Sequence, residues 1–276
     1  MANLSRRIYN SQTLTIPGLG AVPVKNISVS RERPMEPMMM IGVLKGGNQH
    51  QKGPETFKID VKCFMTSALT TAAFKTLFVG TQQGNPTAIS MTDGFSATAV
   101  LTSINIDSSV GEFVEMSLSF QGIGNPDIST NAVNTAVGAD VGGAAAATVL
   151  DSSNVTSVDS FGLTVKSFKY SFEMPVEPFF TYNNSTFVGN STAIMSSNSM
   201  TLIGKAPYKS SLSIEGTSVT QPVATRGATI TGPTVGGMSL NLSNAVLKSF
   251  SVSQTPGEVG AAFSASYEGT SSSFID

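Results

Sequence analysis

The strongest constraint on this chain is that it repeats itself. Val24-Lys25-Asn26-Ile27-Ser28-Val29-Ser30-Arg31-Glu32-Arg33-Pro34-Met35-Glu36-Pro37 recurs 141 residues later, without a gap, as Val165-Lys166-Ser167-Phe168-Lys169-Tyr170-Ser171-Phe172-Glu173-Met174-Pro175-Val176-Glu177-Pro178. A second match sets Val100-Leu101-Thr102-Ser103-Ile104-Asn105-Ile106 against Val246-Leu247-Lys248-Ser249-Phe250-Ser251-Val252, 146 residues apart. Two matches in one order with nearly one offset point to tandem homologous domains, not to a short motif used twice. A chain duplicated in this way suits a pseudo-symmetric building block of a ring or lattice.

Within each copy the pattern is that of strands. Phe57, Ile59, Val61 and Cys63 alternate with Lys58, Asp60 and Lys62, and Val114, Met116, Leu118 and Phe120 alternate with Glu115, Ser117 and Ser119. Phe168, Tyr170 and Phe172, then Leu212 and Ile214, then Phe263, Ala265 and Tyr267 continue it in the second copy. Period two with one wet face implies antiparallel sheets. The expected fold is therefore mainly β: two tandem homologous antiparallel β-sandwich or barrel domains, residues 1–145 and 146–276. The boundary falls in the low-complexity stretch from Gly124 to Ser157, which reads as a linker.

One stretch breaks the rhythm. Leu69, Ala73 and Leu77, with Phe74 and Phe78 beside them, predict a short helix over 67–78 in at least the first domain. Ser67 is its expected cap and Gly80 its stop, and its expected place is over an open end of the core. The weaker candidates for a partner in the second copy are 192–201 and 221–226. Leu44 to Pro54 reads as a polar loop between two strands, and Asn183 to Ser199 as its counterpart. Gly46, Gly47, Asn48, His50 and Lys52 in the first, and Asn184 and Asn190 in the second, are the residues expected to touch neighbouring subunits along a stacking direction. Pro34, Glu36 and Pro37, with Pro175, Glu177 and Pro178, define the repeat, each proline ending or edging a strand because it cannot donate to a ladder.

Composition narrows the chemistry. Charged residues are 12% of the chain, His50 is its only histidine and Cys63 its only cysteine. No disulfide within the chain and no His/Cys metal site can form. Gly46 to Gly53 lacks the Gly-Lys-Ser/Thr of a phosphate loop. Glu36 and Glu177 sit on equivalent elements, which would hold them a domain apart rather than as a catalytic pair. The expectation is thus of no enzyme, no cofactor and no metal. The halves carry formal charges of +1 (1–138) and −3 (139–276), with no basic stripe to grip phosphates. The only positive cluster is Arg6, Arg7, Lys25, Arg31 and Arg33. No signal peptide and no run of 18 apolar residues is present, so no stable membrane association is expected.

The tandem β-rich halves, the short helix after the strand Phe57 to Cys63, the long loop before that strand and the Ser/Thr/Gly-rich, cysteine-poor composition together resemble the tail tube proteins of long-tailed bacteriophages. The form it resembles is the one in which a single chain holds two tube domains. The resemblance implies stacked rings of six tube domains around a channel that conducts phage DNA, each ring a homotrimer with pseudo-sixfold symmetry. It implies itself, the tail sheath and other tail proteins as partners, DNA as a transient and non-specific passenger, and the virion, assembled in host cytoplasm, as location. Two other readings stand beside it. One is a capsid decoration or baseplate protein; the other is a carbohydrate-binding adhesive β-sandwich module, disfavoured by the absence of Trp.

Overall fold

The structure, a computed structural model, describes residues 13–37, 49–51, 55–91, 95–124, 126–128, 149–156, 163–180, 200–218, 226–254, 256 and 261–275. The first half runs β1 (Thr13–Ile16), β2 (Gly20–Glu32), β3 (Met35–Pro37), β4 (Gln49–Gln51), β5 (Thr56–Phe64), α1 (Thr71–Gln83), β6 (Thr87–Met91), β7 (Phe95–Ser109), β8 (Glu115–Ile123) and β9 (Asp127–Ile128). The second runs β10 (Val155–Thr156), β11 (Leu163–Glu173), β12 (Val176–Phe180), β13 (Met200–Gly204), β14 (Lys209–Ser218), β15 (Arg226–Ile230), β16 (Thr234–Val235), β17 (Met238–Ser239), β18 (Leu242–Ser253), β19 (Ala261–Gly269) and β20 (Ser271–Ser272). The protein is mainly β and its sheets are antiparallel, with α1 the one α-helix among the described residues.

Alternation in the sequence becomes sidedness in the strands. β5 buries Phe57, Ile59, Val61 and Cys63 and turns Lys58 and Lys62 to solvent; β8 buries Met116, Leu118 and Phe120. Six strands of the first half close on themselves in the order β7-β6-β1-β2-β5-β8, with β8 returning to β7. Closure demands local bending, and β-bulges supply it. The register slips between Val24 and Asn26 on β2 and between Leu101 and Ser103 on β7. Leu14, Ile16, Ile59, Ile104, Met116 and Phe120 are fully or almost fully buried in the core this makes.

β7 is 15 residues long and outlasts the barrel. Its part from Ser103 to Ser109 pairs with Glu173 to Ser167 of β11. Two bonds frame this seam, Val110 N–H to the Lys166 carbonyl at 2.9 Å and Met174 N–H to the Thr102 carbonyl at 2.8 Å. From β11 the sheet continues through β14 and β19 to β18 and β15. The order β11-β14-β19-β18 therefore follows β2-β5-β8-β7 within one sheet. Bulges fall at matched places as well: Val165/Ser167 on β11 lies 141 residues after Val24/Asn26, and Leu247/Ser249 on β18 lies 146 after Leu101/Ser103. Two small hairpins match too, with Met35 opposite Gln51 in β3–β4 and Val176 opposite Gly204 in β12–β13.

The helix differs from its expected bounds. It starts at Thr71 and ends at Gln83, capped by Thr70, whose Oγ1 accepts the Ala73 N–H at 3.3 Å. Ser67 lies in a turn before it, closed by Leu69 N–H to the Thr66 carbonyl at 3.1 Å. Gly80 is an ordinary helical residue, and the stop is Gly84, whose φ of 71° is the left-handed conformation that glycine adopts without strain. Nor does α1 belong to the first half alone. Phe78 stacks edge-on against Phe172 of β11 at 4.7 Å, Phe74 meets Phe274 at 5.6 Å, and Gln82 Nε2 donates to the Tyr208 hydroxyl at 2.6 Å. The candidate helices of the second copy fall mostly outside the described residues; Met200, Thr201 and Arg226 are strand.

One hydrophobic cluster runs through both halves. Residues 149–156, at the end of the expected linker, tie the two together. Leu150 N–H donates to the Met65 carbonyl and its own carbonyl accepts from Val114 N–H, both at 2.9 Å, while β10 pairs with β16. Position 145 lies outside the described residues.

Candidate functional site

The core occupies one face of the sheet, so the eight strands β2-β5-β8-β7-β11-β14-β19-β18 present the other face to solvent. Its rows follow from the register. One runs Asn26, Lys62, Ser117, Asn105, Ser171, Ser211 and Glu268; another runs Glu115, Asp107, Lys169, Ser213, Ser266 and Ser249. A third runs Ser167, Glu215, Ser264 and Ser251. Short hydroxyls and amides dominate, and the face crosses the β7–β11 seam without a break.

The polar groups on this face answer one another. Ser119 donates to Asp60 at 2.6 Å, Ser171 and Ser211 share a hydrogen bond at 2.6 Å, and Ser167 donates to Glu215 at 3.1 Å. Charges are matched locally: Lys58 with Asp60 at 3.2 Å, Lys248 with Glu268 at 2.8 Å, and Lys25 with Glu115. Exposed pairs of this kind add little stability, but they leave the surface without a concentrated field. Asp107 holds its proton to higher pH than an ordinary aspartate; burial is the main cause and Glu115 adds to it, against the pull of Lys169, Lys62 and Lys25. Arg31 and Arg33 both turn to Glu55, which neutralises part of the positive cluster near the start; Arg6 and Arg7 lie outside the described residues.

The one cysteine of the chain is held away from this face. Cys63 lies beneath it, its Sγ donating to the Met116 carbonyl at 3.4 Å, and burial pushes its thiol up to about 12. A thiol held there carries almost no thiolate at neutral pH. Among the described residues no three His, Cys, Asp or Glu side chains gather as metal ligands, and no helix is long and apolar enough to cross a membrane. An open groove on the second half is lined by Glu173, Tyr208, Lys209, Lys248 and Glu268, with its acids and bases alternating.

The residues expected to mediate stacking are mostly out of view. Gly46, Gly47, Asn48, Lys52, Asn184 and Asn190 lie outside the described residues, while the backbone of His50 stands in β4 opposite Glu36. Within the first expected loop Gln49–Gln51 is strand, β4, and the rest of it, like all of Asn183 to Ser199, lies outside the described residues. Pro34 and Pro175 occupy the same place in each half, between β2 and β3 and between β11 and β12. Pro37 faces Gln49, Pro178 faces Leu202, and Glu177 forms an ion pair with Lys205. What the sequence reading missed is the serine rows of β14, β18 and β19. Their signal, serine at every second position, was in plain view beside the apolar residues. In comparisons with known proteins, no family model matches this chain and no curated protein matches its sequence.

Proposed function

We propose that this chain is a structural protein, the major tail tube subunit of a long-tailed bacteriophage, built from two tandem homologous tube domains and working without catalysis or cofactor. The observation that carries the reading is the shared strand order and the matched bulges of the two halves, set side by side in one sheet with one polar face. A sheet of this kind, continued by further copies and curved closed, encloses a channel lined by serine, asparagine and paired charges. Closure also removes edges that an isolated antiparallel sheet must otherwise defend. DNA would slide along such a wall because no basic stripe stands ready to exchange counterions with phosphates.

Three chains supply six domains, so each ring is a homotrimer, and rings stack into the tube. The hairpins β3–β4 and β12–β13, at paired sites, carry the loops that reach the next ring. Sheath and other tail proteins are the partners outside, and the virion is the final location. Negative-stain microscopy of the purified protein tests this directly, with hollow tubes or rings expected across a range of concentrations. Compact monomers that bind glycans would favour the adhesive module instead, and particles that decorate capsids or baseplates without forming tubes would favour another structural role.

A further inference from the structure

Among the described residues, two strand edges of this run of eight strands lack a neighbour. On β2, β1 takes only Gly20 to Pro23 of one side, and among the described residues no strand pairs with that side from Asn26 to Ser30. On β18, β15 and β20 reach no further than Val246, and no described strand lies against the same side of Ser251 to Ser253. Proteins usually blunt an open edge with lysine, proline or a bulge. Beyond the β2 bulge that ends at Asn26, neither stretch has one. Asn26-Ile27-Ser28-Val29-Ser30 and Ser251-Val252-Ser253-Gln254 alternate polar and aliphatic residues without charge or proline.

The chain contains its own template for what covers them. The seam joins β7 to β11, and these strands occupy in the two halves the places of β18 and β2. At the seam Tyr170 lies opposite Ile106 and Ser171 opposite Asn105, and Phe168, Tyr170, Ile104 and Ile106 are all at most 4% exposed. The residues at the matching places on the open edges are wetter: Val252 is 56% exposed and Ile27 and Val29 are half-buried. We infer that β18 of one copy pairs antiparallel with β2 of the next, in the register of the β7–β11 seam, with Ile27 opposite Gln254, Ser28 opposite Ser253, Val29 opposite Val252 and Ser30 opposite Ser251. The contact is head-to-tail, so it generates closed rings or open filaments, never a closed two-fold dimer. It extends the apolar side with Val29 against Val252 and the polar side with Ser28 and Ser30 against Ser253 and Ser251. Pairing stops at Pro256, which lacks the N–H that Val110 gives to Lys166 at the seam. The inference deepens the tube reading by naming the contact between chains, and rests on it only for the number of copies in a ring.

The register can be tested by disulfide trapping. Bonded and non-bonded pairs alternate along an antiparallel ladder, and bonds at Val110/Lys166 and Thr102/Met174 make Ser171/Asn105 a non-hydrogen-bonded pair, with side chains close together. Ser30 and Ser251 take the same place, and both are exposed, so Ser30→Cys with Ser251→Cys should fold and, on mild oxidation, give chains linked end to end that reduction releases. Buried Cys63 stays out of the reaction. Ser30→Cys with Ser253→Cys, two residues out of register, should not cross-link. A mixture of the two single variants should give only a dimer of one of each, whereas linkage of Ser30→Cys to itself would overturn the head-to-tail contact. Val252→Lys, at a position exposed in the single chain, should leave the chain folded and abolish association; wild-type assembly by this variant would overturn the inference. Tubes without cross-linking would sink this register and leave the tube reading standing. Cross-linked chains that never form tubes would support the contact and count against the tube. A monomer at every concentration, with no cross-link, would sink both.

Discussion

Glycine at position 122 is set by a single contact. It lies on β8 opposite Phe57, and a Cβ built there would fall 2.2 Å from the Cζ of that buried ring. Gly122→Ala must push the ring off its rotamer or part the strands, at about 1–3 kcal/mol. Urea titration checks it, and the substitution should cost clearly less in a Phe57→Leu background, because the two sites share the contact. Strict additivity would show that the ring is not the cause. Asp151 makes a different kind of prediction. Its carboxylate accepts the Ser153 N–H at 2.9 Å and the Ser153 hydroxyl at 2.5 Å, and these bonds hold its pKa below the ordinary 3.8. A depressed carboxylate stabilises the fold above its unfolded pKa and loses that contribution as pH falls through its lower folded value. Asp151→Ala should therefore lower the denaturation midpoint at neutral pH and converge on wild type as the pH falls below the lowered folded pKa; a difference independent of pH would mean the carboxylate charge plays no part.

The helix is the element on which both halves depend. Phe78 is fully buried and lies against Phe172 and Phe274, while Thr81, on the same face, donates to the Leu77 and Leu101 carbonyls at 3.1 and 2.9 Å. Phe78→Ala should cost about 3–5 kcal/mol. Because the main core cluster holds residues of both halves, unfolding followed by fluorescence and by circular dichroism should stay a single coincident transition; two separated transitions would mean the halves unfold independently. The sequence exposed the strands here better than the helix. Alternation over Phe57 to Cys63 or Val114 to Phe120 can be satisfied only by a half-buried strand, so those elements were readable residue by residue. The helix ends were not, because Ser67 and Thr70 are both fair caps and Gly80 and Gly84 both fair stops. Only the turn at Thr66 to Leu69 and the left-handed φ at Gly84 decide between them. The seam was hidden for another reason. Ser103 to Ser109 looks like any other strand, and nothing local in it says that its partner stands 58 to 70 residues away rather than within its own half. The polar face was legible strand by strand at Lys58 to Lys62 and Glu115 to Ser119, but its continuity depends on that same seam.

At the scale of the whole molecule the proposed tube of paired halves carries a stoichiometry with it. A ring whose positions are filled alternately by the first and second halves of a chain has two kinds of junction. One is the β7–β11 seam, closed within the chain at an effective concentration that dilution cannot lower; the other joins separate chains and must close on surface complementarity alone. Rings should therefore open only at the junctions between chains, and diluted material should pass straight to intact single chains and never to half-chains. If each half fills one of six places, three chains close the ring, and its symmetry is threefold with an approximate sixfold beneath it. The two junctions cannot become equivalent, because Pro256 stands where Val110 donates its N–H at the seam, and because Phe78 of α1 packs on Phe172 at the seam with no matching helix among the described residues of the second half. Averages of ring views calculated without imposed symmetry should thus show three repeats with alternating features, and the native mass of an isolated ring should equal three chains of 28.7 kDa. A ring of six chains would require each chain to place only one half in the wall. The unbroken sheet from β2 to β18 argues against that, since its eight strands pair in succession and share one polar face.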